Sequence, residues 1–394
     1  MHIAIVAPEF PPEIGGMQTY ALEFAEELLR RGHRLTVFTR RRQEAQAQLP
    51  GAEVRGVLSG RAGPDWAQMR DLQADAWHVM NAAYAWVALR RQPTVVSIHG
   101  NDFLRPYIPV GEPDLASLPG AWRVNSLRLA LQQRIGAWRT PRLMRAGLRR
   151  ATRILSNSRY TQQVFLERFP ECAPHTSTAL VGVGARYFTL PPRAAAPAGA
   201  VPHLVTICRL SERRKNVDRV LRALARLAPT HDFRYTIVGD GDARPELEAL
   251  AMSLGLAGRV RFTGFLSQPA MQQVLSESDL FVLVASINPG SHEGFGIVYL
   301  EANAWGVPTL AARLAGAAEA VEEGVSGHFT QGVEEADIAA ALAEFLQGRW
   351  RIAPADCQAF ARRFGWDQVV DQALPWYSAA SARPTRQPVA QDRV

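Results

Sequence analysis

The chain has 394 residues, 47% apolar and 21% charged, enough for two domains that each bury a core. Basic residues outnumber acidic ones by 44 to 37, and no run reaches the apolar length of a membrane span. Three widely spaced cysteines (Cys172, Cys208, Cys357) make neither a disulfide framework nor a metal-ligand cluster, which points to a reducing cytoplasm.

A first strand is expected over His2 to Ala7; with no basic leader or cleavage site, it does not read as a signal peptide. Pro8 to Gly16 then turns into a helix over 17–31. A strand, a glycine turn and a helix start form an anion site, because the first helical amides have no intrahelical partners. The dinucleotide pattern G-x-G-x-x-G does not follow this strand, which disfavours a nicotinamide dehydrogenase. Further buried strands are expected at Arg34 to Thr39, Ala76 to Met80 and Thr94 to Ile98. The last ends in His99-Gly100-Asn101-Asp102-Phe103, and ligands of open α/β sheets bind beyond the carboxyl ends of strands.

From Leu115 to Leu166 there are ten arginines and no acidic residue, with Trp122 and Trp138 interleaved. No nucleic-acid motif accompanies them, so a nucleic-acid partner is not expected. A basic surface that meets anionic lipid and a solvated helical face both remain open. Ile154 to Ser158 reads as the last strand of the first half, with Ser158 or Asn157 capping a helix from near Tyr160. Val181 to Ala200, with its Pro-Ala run from Pro191, reads as the linker.

Strand and helix alternation then restarts. A strand over His203 to Cys208 ends in Arg209-Leu210-Ser211-Glu212-Arg213-Arg214-Lys215-Asn216, followed by a helix over 217–227. Lys215 is the sole lysine, and a compact ammonium suits phosphate. A strand over Tyr235 to Val238 leads to Asp240-Gly241-Asp242. A D-x-D string can hold a divalent ion, but a strand ending in Gly and a helix from Pro245 make these turn and cap residues. Val260 to Leu266 and Leu280 to Val284 follow as strands.

Next comes the most informative stretch, Ser291 to Pro308. Gly306 and Pro308 stop a helix that should begin near Gly296. Glu293 falls just before that start and Glu301 between one and two turns beyond it. The helix dipole and bare amides favour a phosphate, while carboxylates accept from sugar hydroxyls. The matching guest is a nucleotide sugar.

This string resembles the E-x7-E signature of retaining glycosyltransferases of the GT-B fold, family 4 (glycosyl transferases group 1). Its wording, with the His99-Gly100 pair, is similar to that of phosphatidylinositol mannosyltransferases. The resemblance covers residues 1–378 and is strongest over 205–327. It implies an α/β GT-B fold, two Rossmann-like domains with a cleft between them. Residues 1–190 would bind the acceptor and 191–365 the nucleotide sugar; 366–380 would cross back as a helix, leaving 381–394 as a disordered tail.

The resemblance also implies roles. Arg209 and Lys215 would face the pyrophosphate, Glu293 the sugar hydroxyls and Glu301 the ribose, with backbone groups of Gly294, Phe295, Gly296 and Ile297 meeting sugar and phosphate. His99 would approach the reacting carbon and Leu266 the nucleobase. Gly15 and Gly16 would face the donor phosphates and acceptor, and Asp102 the acceptor side. The expected reaction moves a hexose from a GDP-mannose or UDP-glucose type donor to an acceptor hydroxyl, lipid-linked in one reading, with no metal and no cofactor. A cytoplasmic enzyme, peripheral at the inner face of a membrane, is the expected setting. Residues 315–321 depart from the family's G-G-x-P-E-x-V, with Ala315 for the first Gly and Ala318 for Pro. An epimerase or hydrolase on the same fold, or a non-catalytic nucleotide-sugar-binding protein, are the alternatives.

Overall fold

The structure, a computed structural model, describes residues 1–12, 15–40, 49–106, 139–188, 200–350 and 352–378. Much of the Arg-rich segment, most of the Pro-Ala run and the expected tail over 381–394 lie outside the described residues.

The first domain grows from Ile3-Ala4-Ile5-Val6, apolar without alternation and therefore suited to a strand covered on both faces. This is β1 (His2–Val6). It is followed by α1 (Gly16–Arg30), β2 (Arg34–Arg40), β3 (Ala52–Leu58), α2 (Ala62–Met69), β4 (Ala76–Val79) and β5 (Thr94–Ile98). A helical run over 139–150 (α3), β6 (Arg153–Ser156), α4 (Arg159–Arg168) and β7 (Thr176–Thr178) complete the domain. All strands pair in parallel, in the order β3-β2-β1-β4-β5-β6-β7. Ile154 to Ser158 is thus not the last strand of this half: β7 adds beyond it, three residues long and too short to show a pattern. The edge strand β3 was also unannounced, because its partly solvated residues, Glu53 and Arg55 among them, dilute the apolar signal.

The second domain repeats the plan. Its elements are β8 (His203–Ile207), α5 (Val217–Leu227), β9 (Arg234–Val238), α6 (Arg244–Ser253), β10 (Val260–Gly264), α7 (Gln268–Ser276) and β11 (Leu280–Leu283). Then come α8 (Ile297–Ala304), β12 (Thr309–Ala312), α9 (Ala317–Ala320), β13 (Gly327–Thr330), α10 (Glu335–Leu346) and α11 (Pro354–Ala361). The parallel order is β10-β9-β8-β11-β12-β13. Each sheet therefore reverses its winding once, between β1 and β4 and between β8 and β11. Such switch points open a crevice at the carboxyl ends of the strands.

A last helix, α12 (Trp366–Ala373), returns to the first domain. Trp366, Val369, Val370 and Ala373 are buried, a single helical stripe, and the helix packs on α1. Arg31 fixes it from α1, 2.5 Å from the Asp371 carboxylate and donating to the Asp367 carbonyl at 2.9 Å. Tyr377 beyond it pairs with His78 of β4. One apolar cluster consequently runs through both domains, joining Ile3, Tyr20 and Phe24 to Phe295, Leu300 and Trp366.

The crossing depends on a close approach at Gly182, where a Cβ would lie 2.8 Å from the Trp366 backbone nitrogen. Gly182→Val is expected to cost about 1–3 kcal/mol by overpacking and to lower the calorimetric melting temperature by several degrees. An unchanged transition would show that this contact carries no packing constraint.

Candidate functional site

The carboxyl ends of both sheets face one cavity of about 440 Å³. Every site residue singled out in the sequence lines it. His99, Asp102, Gly15 and Gly16 come from the first domain; Arg209, Lys215, Leu266, Gly294, Phe295, Gly296, Ile297, Glu293 and Glu301 come from the second.

The most constrained group is Glu293. Its carboxylate accepts from Lys215 Nζ at 2.5 Å and from Arg214 Nη1 at 3.2 Å. Burial alone would raise its pKa, but the two cations outweigh it and bring the value to about 2. Arg214, which sequence reasoning passed over inside its basic run, is only 6% exposed and also donates to Ser291 Oγ at 3.0 Å. The carbonyl of Arg214 accepts from the Ser286 amide, so the Arg209–Asn216 turn is pinned to the loop after β11. Asn216, at φ +53, starts α5 and donates from its side chain to the Val284 carbonyl. Arg209 reaches across to the first domain, donating to Gln18 Oε1 at 3.3 Å.

Helix α8 begins after Gly296, whose φ of +89 places it in the left-handed region. A Cβ there would also meet the Tyr299 ring at 2.4 Å, so this residue must be glycine. The expected helix start and both flanking carboxylates stand where the sequence puts them. Glu301 is buried and accepts from Tyr187 of the first domain at 2.8 Å; burial raises its pKa.

His99 is half-buried with its ring turned inward, and withdrawal from water lowers its pKa to about 3, so the imidazole is neutral at ordinary pH. Its Nε2 has no hydrogen-bond partner, a costly state for a buried polar atom unless a ligand supplies one. The ring stands edge-on to Tyr20, centroids 4.3 Å apart. Behind it runs a buried polar line: Tyr20 OH to Ser97 Oγ at 3.3 Å, Ser97 Oγ to His78 Nε2 at 2.8 Å, and His78 Nδ1 to Tyr377. Asp102 lies in the wall, but both its oxygens accept from backbone amides, of His99 at 3.0 Å and of Ala82 at 2.7 Å. Burial raises its pKa to about 6 against those amides. Through these two bonds the carboxylate ties the turn after β5 to the start of the segment after β4.

Several contacts close the cleft. The His292 amide donates to Asn101 Oδ1 at 3.1 Å, and Thr161 Oγ1 donates to the Gly294 carbonyl at 3.2 Å. Glu319 extends from the second domain to the start of α4, accepting from the Arg159 and Tyr160 amides at 3.1 and 3.0 Å. The variant loop supports this reach with Ala315 at φ +50, a conformation that glycine adopts at less cost. The aspartates expected to serve as turn residues are partly accounted for: Asp240 accepts from the Gly241 amide and from Arg244. Among the described residues no cluster of three or more His, Cys, Asp or Glu could hold a metal.

Of the Arg-rich segment, Arg145 and Arg149 both pair with Glu171, and Arg153 lies over the Trp376 ring at 4.6 Å. Among the described residues no helix is long and apolar enough to cross a membrane.

Comparison with known proteins divides the chain as the sheets do. Residues 14–177 match the family described as Glycosyltransferase Family 4, and residues 197–364 match Glycosyl transferases group 1. The D-inositol 3-phosphate glycosyltransferase of Rhodococcus jostii is 27% identical, over 97% of this chain and 88% of the relative. A GDP-mannose-dependent alpha-(1-6)-phosphatidylinositol monomannoside mannosyltransferase of Mycolicibacterium smegmatis is 29% identical, over 87% and 88% respectively. In structure the chain is similar to Anabaena HepE, solved with UDP and glucose, with a TM-score of 0.69 at 22% identity, covering 96% of this chain and 99% of that one.

The ion pair generates a pH-dependent prediction. The Glu293 pKa lies below its unfolded value of 4.5, so its contribution to stability is full above that pH and is lost as pH falls toward about 2. Glu293→Gln leaves the buried Lys215 ammonium uncompensated and Arg214 with Glu212 as its remaining partner, at a cost of about 3 kcal/mol at neutral pH. The gap in melting temperature between variant and parent should narrow steadily from pH 5 to pH 2. A gap that is constant over that range would contradict the assignment.

Proposed function

Because the chain belongs to the glycosyltransferases assembled from Family 4 and group 1 domains on the GT-B fold, we propose that it transfers a hexose from a nucleoside-diphosphate sugar with retention at the anomeric carbon and without a metal. The observation that carries this reading is the convergence, in one cavity, of the Lys215–Glu293 pair, the start of α8 and the unpartnered Nε2 of His99.

The assigned roles follow from the chemistry of the groups. Arg209, Lys215 and the first amides of α8 would balance the charge that grows on the departing diphosphate. Held by Glu293, the Lys215 ammonium is positioned before the donor arrives, so little reorganisation accompanies reaction. Glu293, ionised at any ordinary pH, would accept from sugar hydroxyls. Glu301 would accept from the ribose, and Leu266 would pack near the base. His99 would present a neutral ring to the sugar near the reacting carbon.

In the step itself, the bond between the anomeric carbon and the diphosphate oxygen breaks, its electron pair leaving with the diphosphate. The acceptor oxygen bonds to the same face of that carbon, and its proton passes to the leaving phosphate oxygen. No protein side chain becomes covalently attached. A GDP-mannose or UDP-glucose type donor is supported by the names of the mannosyltransferase relative and the UDP-bound neighbour. The inositol-based names of the relatives support a polyol acceptor, free or lipid-linked. We place the reaction in the cytoplasm, with the Arg-rich segment as the surface that meets anionic lipid.

Thermal stabilisation by a panel of nucleoside diphosphates identifies the donor base. Transfer with that donor should then drop about 10²–10³-fold in Lys215→Ala, as for loss of one electrostatic stabiliser, measured well below each variant's melting temperature. Glu301→Ala should raise the donor KM and leave kcat nearly unchanged. EDTA should leave transfer intact, and the glycoside formed should keep the donor's anomeric configuration. Loss of activity in EDTA, or an inverted product, would overturn the corresponding part of the proposal.

A further inference from the structure

Most cations that line the cavity are already engaged. Lys215 and Arg214 hold Glu293, Arg209 donates to Gln18, and Arg105 donates to the Pro289 carbonyl at 3.2 Å. Arg40 differs. It stands at the carboxyl end of β2, in the wall of the first domain, and its Nε is buried without a hydrogen-bond partner. Glu9 shares that wall and feels the charges of both Arg40 and Arg209, yet no hydrogen bond or ion pair joins Glu9 to Arg40. A guanidinium donor withdrawn from water without an acceptor is costly, more so because the group is charged. Evolution tolerates such a cost where a ligand completes the contact.

We propose that Arg40 receives an anionic group of the acceptor, a phosphate or a carboxylate, so that the acceptor is a charged polyol. This rests on the transferase reading above and deepens it. The planar guanidinium fork matches two oxygens of one anionic group at once, giving orientation as well as attraction. Arg40 comes from the sheet opposite α8, so an anion held there anchors the acceptor on the first domain's side of the cavity. Binding energy from that group fixes the hydroxyl without touching the reacting carbon, which is how a remote charge accelerates transfer.

The test uses the full chain saturated with the nucleoside diphosphate that stabilises it most, so that added anions do not enter the donor site. Calorimetric titration compares matched pairs: myo-inositol 1-phosphate with inositol, glycerol 3-phosphate with glycerol, and glucuronate with glucose. Co-sedimentation with phosphatidylinositol vesicles, against phosphatidylcholine vesicles, tells a lipid headgroup from a free phosphate. At least one anionic member should bind tenfold or more tightly than its neutral partner. Arg40→Gln should remove most of that advantage, and Arg40→Lys, which keeps the charge without the fork, should fall between. Equal binding within every pair, or an anion preference that survives Arg40→Gln, overturns the proposal. A variant that weakens nucleotide and anion alike counts against it too, since the effect is then not specific to the acceptor. Should no nucleoside diphosphate bind at all, the transferase reading falls, and the same titrations on the unloaded protein still decide Arg40.

Discussion

The architecture of the site hangs on one buried carboxylate and the two cations it balances. Glu293 cannot sit in that cavity without Lys215 and Arg214; Lys215 depends on it in turn, and Arg214 shares its charge between Glu293 and Glu212. Because the three residues come from the loops after β8 and β11, their attraction draws together the two strands that flank the switch point of the second sheet. The start of α8 follows Glu293 by a few residues, so the same pairing also aims the helix. A charge network that costs solvation on folding thereby fixes the geometry of the cavity wall.

Much of this was legible because function and folding place the same demands on these residues. The glycine-bounded string from Ser291 to Pro308 announces a helix start in its own chemistry, and Gly296 must be glycine for steric reasons that the structure makes explicit. Strands buried on both faces, such as Thr94–Ile98, show as short runs rich in β-branched residues, and the observed bounds agree with the expected ones. What stayed hidden depends on partners distant in sequence. Arg214 looks like any member of a basic run until the fold buries it against Glu293. Tyr187 and Glu301 meet from different domains, 114 positions apart. Each Asp102 oxygen accepts from an amide that the fold alone brings near, His99 after β5 and Ala82 after β4. β7 is too short to carry a pattern, and β3 is too solvated.

The returning helix α12 has a role beyond fastening the domains. Tyr377 meets His78, and from there the hydrogen bonds through Ser97 lead to Tyr20, whose ring supports His99. The last described residues of the chain therefore support the imidazole that faces the cavity. The resemblance announces this segment as a returning helix and nothing more, and its buried stripe of Trp366, Val369, Val370 and Ala373 accounts for the packing alone. The polar line appears only when β4, β5 and α1 are laid side by side.

Glu319 gives the cleft a further property. By accepting from the Arg159 and Tyr160 amides it adds, from across a domain boundary, to the cap that Ser158 already gives α4. Ser158 Oγ keeps its own hold on the Thr161 amide, so separation of the domains frees the two outermost amides of α4 and leaves the rest of the turn capped. The two amide protons thus serve as a built-in clock for domain motion. Their rate of exchange with solvent deuterium counts openings, and a guest that holds the cleft shut slows that clock even though it touches neither residue.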